Sequence, residues 1–106
     1  MYYIYIIRCN DNSLYTGITT DIKRRYQEHI DGKGAKYTRM HKPLSVEALW
    51  TCEDKSQASK LEYWIKTLSK EEKEKIIIND EYLQVYLGKH LELDKYIRII
   101  QENIFC

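Results

Sequence analysis

Arg25 and His29 stand four residues apart in a segment with helical spacing, on the border of the apolar stripe formed by Ile22, Tyr26 and Ile30. A guanidinium and an imidazole placed there face the edge of a cleft, where they could grip an anion and move a proton. The competing reading is that Lys23-Arg24-Arg25 is a solvated helix face, as most charge runs are. Glu62 lies beside the apolar arc of a second helical segment, so its carboxylate could project from a buried face and hold one divalent cation, with water and phosphate as further ligands. An ordinary ion pair with Lys60 or Lys66 explains it equally well, and helix geometry does not decide. Tyr3, Tyr5 and Tyr15 share a face if the first 18 residues form a hairpin, either as a packing ladder or as a source of phenols. The segment Gly32-Lys33-Gly34-Ala35-Lys36-Tyr37-Thr38-Arg39 joins glycines, cations and an aromatic, a set able to contact a phosphate backbone and stack on a base.

The elements that must position these groups follow from the chain's periodicity. Tyr2 to Arg8 is β-branched and aromatic, Asn10-Asp11-Asn12-Ser13 is a turn, and strand character resumes at Leu14 and ends near Gly17, which permits a close backbone approach. Thr20 or Asp21 can cap a helix that stops at Asp31-Gly32. After a basic loop from Gly32 to Lys42, Pro43 opens a third strand in which Val46, Ala48, Trp50 and Cys52 alternate with Ser45, Glu47, Leu49 and Thr51. From Ser56, residues Ala58, Leu61, Trp64, Ile65 and Leu68 gather on one helical arc of about 120°. Ser69-Lys70-Glu71-Glu72 is a capping box that starts a further helix. Asp80 to Leu87 fits helix or strand, and Leu93, Tyr96, Ile97, Ile100 and Ile104 predict a terminal amphipathic helix from about Glu92 to Asn103.

Length and composition bound the answer. At 106 residues and 43% hydrophobic content the chain suits one globular domain with a workable core. Its apolar runs fall short of the roughly 20 residues of a membrane span, and its start lacks the pattern of a secretory signal, so a cytoplasmic location is expected. Cys9, Cys52 and Cys106 lack metal or redox spacing and are expected as free thiols. The net charge of +1 hides an asymmetry: residues 1 to 42 carry 8 Lys and Arg against 4 Asp and Glu, and residues 43 to 106 carry 9 against 12. The basic N-terminal half is the part suited to nucleic acid. It also holds six of the ten tyrosines, a skew set against one Phe and two Trp.

Taken together, Tyr3-Ile4-Tyr5, then Tyr15-Thr16-Gly17 after nine residues, then Arg25, His29 and Glu62, resemble the GIY-YIG endonuclease domain. The phrases YYIYIIRC, SLYTGITTDIKRR, GKGAKYTR and LEYWIK are similar to the small stand-alone bacterial branch of that superfamily, the UPF0213 group, over roughly residues 2 to 78. The resemblance implies an α+β fold, a small three-stranded antiparallel sheet flanked by helices. Residues 1–79 would form the nuclease-like domain, and residues 80–106 a C-terminal helical extension packed on or next to it.

It also implies roles. Tyr5 and Tyr15 match the motif tyrosines, one or other of which activates or positions the attacking water. Arg25 matches the arginine that neutralises the scissile phosphate, His29 a position that assists proton transfer, and Glu62 the sole carboxylate ligand of one Mg²⁺ or Mn²⁺. Lys33, Lys36, Tyr37 and Arg39 are the expected nucleic-acid contacts. The chain departs from the pattern at Tyr3, where the first motif has glycine, and at Thr16. The implied activity is hydrolysis of DNA phosphodiester bonds in repair, recombination or processing. A module that binds nucleic acid on the same fold without cleaving it is the alternative, although such a binder would not need a carboxylate that repels phosphate. The C-terminal segment is a candidate surface for a homodimer or a protein partner.

Overall fold

The computed structural model describes residues 1–100. Its first strand, β1 (Tyr2–Cys9), ends at a turn in which Asn12 takes a positive φ of 70° and Asp11 accepts a hydrogen bond from the Ser13 amide at 3.1 Å. The chain returns antiparallel as β2 (Leu14–Thr19), with Tyr5 opposite Gly17 and Ile7 opposite Tyr15. Helix α1 (Ile22–Ile30) starts where the Asp21 side chain accepts from the Arg24 amide, and it gives way to Gly32 at φ 75°. A short helix α2 (Lys36–Met40) stands in what reads as a basic loop. Strand β3 (Pro43–Cys52) then pairs with the other edge of β1, and helices α3 (Lys55–Lys66), α4 (Lys70–Ile78) and α5 (Glu81–Leu87) follow. Ser69 and Glu72 close the expected capping box at the start of α4.

The fold is α+β, and the sheet has four strands in the order β2-β1-β3-β4 rather than three. The fourth, β4 (Ile97–Arg98), replaces part of the expected terminal helix. Leu93–Lys95 forms one 3-10 turn, and Ile97 and Arg98 then pair with Thr51 and Trp50. The outer edge of β3 offers backbone groups that a strand satisfies and a helix does not. Specific side-chain bonds hold the segment extended: the Tyr96 hydroxyl donates to the Gln57 carbonyl at 2.7 Å, and Arg98 donates to the carbonyls of Ile76 and Ile77 at 3.1 and 3.0 Å. The part of the expected helix from 101 to 103 lies outside the described residues.

The sheet separates two cores. On one face Ile4, Ile6, Ala48, Trp50 and Cys52 pack beneath Ala58, Leu61 and Ile65 of α3, Ile76 of α4, and Leu83 and Leu87 of α5. On the other, Tyr5, Ile7, Cys9, Val46 and Leu49 pack with Ile22 of α1, and Tyr3, Tyr15 and Tyr26 close the rim. The expected alternation of β3 breaks at Glu47. There the pairing with β1 slips from Ile6 opposite Ala48 to Ile7 opposite Val46, so one extra residue of β3 is absorbed and Val46 turns to the face opposite Ala48. Cys9 and Cys52 are buried free thiols.

Candidate active site

The second face of the sheet brings the sequence-selected residues together. Tyr5, on the central strand, is 1% exposed, and its ring lies over Gly17 on β2, where an added Cβ would overlap the phenol. That is the close approach the glycine permits. His29 on α1 is 1% exposed, so it is a buried residue rather than one at a cleft edge, while Ile30, expected in the apolar stripe, is 43% exposed. The helix is rotated so that Ile22, Tyr26 and His29 face the sheet. Loop 32–35 folds tightly over the imidazole, and a Cβ on Gly34 would overlap its Nδ1. Tyr5 Oη and His29 Nε2 are 2.8 Å apart. On the far side of the ring, His29 Nδ1 lies 2.6 Å from Thr38 Oγ1, which donates to the Ala35 carbonyl at 3.0 Å.

Arg25 and Glu62 flank this pair. Arg25 is ion-paired with Glu28 at 2.9 Å and its charge acts on the Tyr5 phenol, leaving part of its fork of donors for a ligand. Burial pushes the Tyr5 phenol up to about 12; Arg25 opposes the rise, and the charges of Tyr15 and Glu62 add to it. Burial, with Arg25 adding to it, pushes His29 down to about 4. Both groups are therefore neutral near pH 7. Glu62 projects from α3 with its side chain 24% exposed and lies 3.3 Å from Lys66 Nζ, which in turn sits over the Tyr15 ring, 5.9 Å from its centroid. Tyr15 is half-buried and packs edge-on against His29, the ring centroids 5.4 Å apart.

The predicted nucleic-acid contacts lie along one margin of this site. Tyr37 stacks on Tyr15 with centroids 5.8 Å apart, and Lys33, Lys36 and Arg39 are exposed on and before α2. Two residues at the site were given no part of their own in the sequence reading, Thr38 and His41, whose ring lies 4.4 Å from that of Tyr37 and whose Nδ1 pairs with Asp11 at 2.7 Å; Lys66 is the ion-pair partner that the sequence offered for Glu62. The threonine follows His29 by nine residues, across a turn whose path no local pattern specifies.

The donor set accords with a hard cation. Glu62 supplies one carboxylate, and among the described residues no group of three or more His, Cys, Asp or Glu converges to hold a metal unaided.

A buried tyrosine-histidine pair thus stands between an arginine and a carboxylate on an antiparallel sheet, and comparison with known proteins gives the family. Residues 1–75 match the GIY-YIG catalytic domain, and the chain belongs to that nuclease family, whose nucleases generally use a divalent metal. It is 47% identical to a UPF0213 protein of Fusobacterium nucleatum over 72% of this chain and 76% of the relative. It is 44% identical to the UPF0213 protein YhbQ of Salmonella typhimurium over 82% of this chain and 87% of the relative. The solution NMR structure of a UPF0213 protein from Bacillus halodurans is 46% identical, covers 74% of this chain and 84% of its own, and superposes with a TM-score of 0.48. No helix among the described residues is long and apolar enough to cross a membrane.

Proposed function

We propose that the chain is a metal-dependent endonuclease that hydrolyses DNA phosphodiester bonds, leaving 5′-phosphate and 3′-hydroxyl ends, in cytoplasmic DNA repair, recombination or processing. The observation that carries the reading is the 2.8 Å contact between Tyr5 Oη and His29 Nε2, enclosed by the sheet and α1, with the Arg25 charge acting on the same phenol. Packing alone does not call for a buried polar pair whose members burial keeps neutral.

The chemistry needs an activated water, neutralisation of the phosphate as charge develops, and stabilisation of the leaving 3′-oxygen. A Mg²⁺ or Mn²⁺ bound by Glu62 would supply Lewis-acid stabilisation at that leaving oxygen. Arg25 turns its remaining donors to a non-bridging phosphate oxygen. Tyr5, with a phenol near 12, does not ionise beforehand; it takes the water's proton only as its own passes to His29 Nε2, which is neutral and faces it. Tyr15, against both rings, excludes bulk water and orients the nucleophile. Lys33, Lys36 and Arg39 hold the flanking backbone, and Tyr37 offers its ring to a base.

The test incubates wild type and Glu62→Ala with branched, single-stranded and duplex DNA, with and without Mg²⁺ or Mn²⁺. Cleavage by wild type that requires the cation and falls by roughly a thousandfold in the variant is expected. Equal cleavage by both proteins refutes Glu62 as the ligand. Binding without cleavage on every substrate leaves the non-cleaving nucleic-acid module as the function.

A further inference from the structure

We propose that Thr38 is a positioning residue: its hydroxyl sets the tautomer of His29 and so keeps the Nε2 lone pair aimed at Tyr5. The proposal rests on the nuclease reading for its consequence, but not for its geometry. Thr38 is 2% exposed, a buried hydroxyl on a short helix that serves no apolar core.

The argument is a count of hydrogens. Three contacts run in series: Tyr5 Oη to His29 Nε2 at 2.8 Å, His29 Nδ1 to Thr38 Oγ1 at 2.6 Å, and Thr38 Oγ1 to the Ala35 carbonyl at 3.0 Å. A carbonyl only accepts, so the third contact takes the single hydrogen of the threonine. Thr38 must then accept in the second, and Nδ1 must carry the hydrogen of the neutral imidazole. Nε2 is left bare, and the first contact is filled by the phenol of Tyr5. No other placement on a neutral ring gives each contact one hydrogen. The opposite tautomer would set Thr38 and Ala35 oxygen against oxygen, and would direct an N–H at Tyr5 where a proton acceptor is needed.

The chain is built to keep this order. Ala35 precedes α2 in extended backbone, at φ −68° and ψ 155°, which turns its carbonyl to the threonine one helical turn on. Gly34 admits the imidazole against the backbone, and Tyr5 lies over Gly17 in the same manner on the other side. Two glycines therefore bracket the Tyr5 and His29 rings, and Thr38 closes the series at its buried end. The hydroxyl touches no reacting group; it acts through His29 alone.

Thr38→Val keeps the shape and removes the acceptor, and Thr38→Ser keeps the acceptor. Long-range ¹H–¹⁵N NMR of the full-length protein reads which ring nitrogen of His29 carries the hydrogen, with no DNA or metal present. Wild type and Thr38→Ser are expected to show Nδ1–H, and Thr38→Val to shift to Nε2–H. On the DNA that wild type cleaves, Thr38→Val should lose roughly a hundredfold in kcat with KM within about twofold, and Thr38→Ser should stay within about fivefold of wild type. Nε2–H in wild type overturns the proposal, as does a Thr38→Val protein that keeps Nδ1–H or the wild-type kcat. If Thr38→Val does not fold, the wild-type and serine spectra still decide. If wild type cleaves nothing, the nuclease reading fails, while the spectra continue to decide what sets the tautomer.

Discussion

The two faces of the sheet are built from the same strands and obey opposite rules. The face beneath α3 is mainly apolar, Ile4, Ile6, Ala48 and Trp50 meeting Leu61, Ile65 and Leu83, with Thr16 buried opposite Ile6. The face beneath α1 is comparably buried but contains a phenol, an imidazole and a threonine hydroxyl bonded in series. One stabilises by area removed from water, the other tolerates polar burial because every group in it has a partner. Strand alternation makes this division possible: Tyr5 stands between Ile4 and Ile6 and points away from both. The apolar core and the proposed chemistry thereby fall on opposite sides of β1.

A pair of substitutions tests the division at its largest. Trp50→Ala empties the apolar face and removes the bond from the indole nitrogen to Asp80 at 2.8 Å, so it should cost about 3–5 kcal/mol in urea unfolding. Tyr5→Phe deletes only one hydroxyl and should cost about 1–2 kcal/mol while lowering cleavage roughly a hundredfold. Full activity in Tyr5→Phe would sink the proton path through His29, and a greater loss of stability there than in Trp50→Ala would erase the distinction between the faces.

The faces also separate by pH. His29 has a folded pKa of about 4 against 6.5 unfolded, so the stability it contributes is present above 6.5 and is lost as pH falls from there toward 4, roughly 3 kcal/mol in all. On the other side, Arg8 reaches Glu74 of α4 at 2.6 Å and holds that carboxyl down to about 2 from 4.5. Its contribution is present above 4.5 and fails only below it. Unfolding of wild type and His29→Leu between pH 7 and 4 should therefore diverge, the variant staying flatter. Parallel curves would show that the imidazole is not held neutral by its burial. At the alkaline end Tyr5, raised to about 12, contributes stability that is complete below 10 and lost as pH climbs through 10 to 12.

What was legible in the chain divides along the same line. The hairpin, the Asp21 cap, the Ser69 capping box and the Ala58-Leu61-Ile65 stripe follow from local pattern, because each depends on residues within a few positions of one another. The burial of His29, the turn of Val46 to the site face and the strand at Ile97 do not. They depend on a bulge at Glu47, a rotation of α1 and the open edge of β3, all settled by partners far away in sequence. The helical spacing from Leu93 to Ile100 was real as a pattern and lost to edge pairing. Residues 80 to 98 are drawn into the core through Leu83 and Leu87 and into the sheet through β4, and Arg98 lies over the Trp50 ring at 5.0 Å. The acidity of that half thus coexists with a structural part in the apolar face.

The smallest expected effect lies where the two sides meet, at the margin formed by α3 and β2. Leu61 and Ile65 of α3 bury themselves in the apolar core, while Lys66 of the same helix, paired with Glu62, lies over the Tyr15 ring on the site side. The Lys66 ammonium, 3.3 Å from the Glu62 carboxylate, would compete with a cation bound there as proposed. Its side chain is 50% exposed, and such pairs contribute only about 0.3–0.5 kcal/mol. Lys66→Ala should therefore tighten Mn²⁺ binding by roughly twofold, read as free Mn²⁺ by electron paramagnetic resonance without DNA, and leave thermal stability unchanged. Weaker Mn²⁺ binding in the variant would mean that the ammonium orients the carboxylate rather than competing for it, and would make Lys66 part of the site rather than its rim.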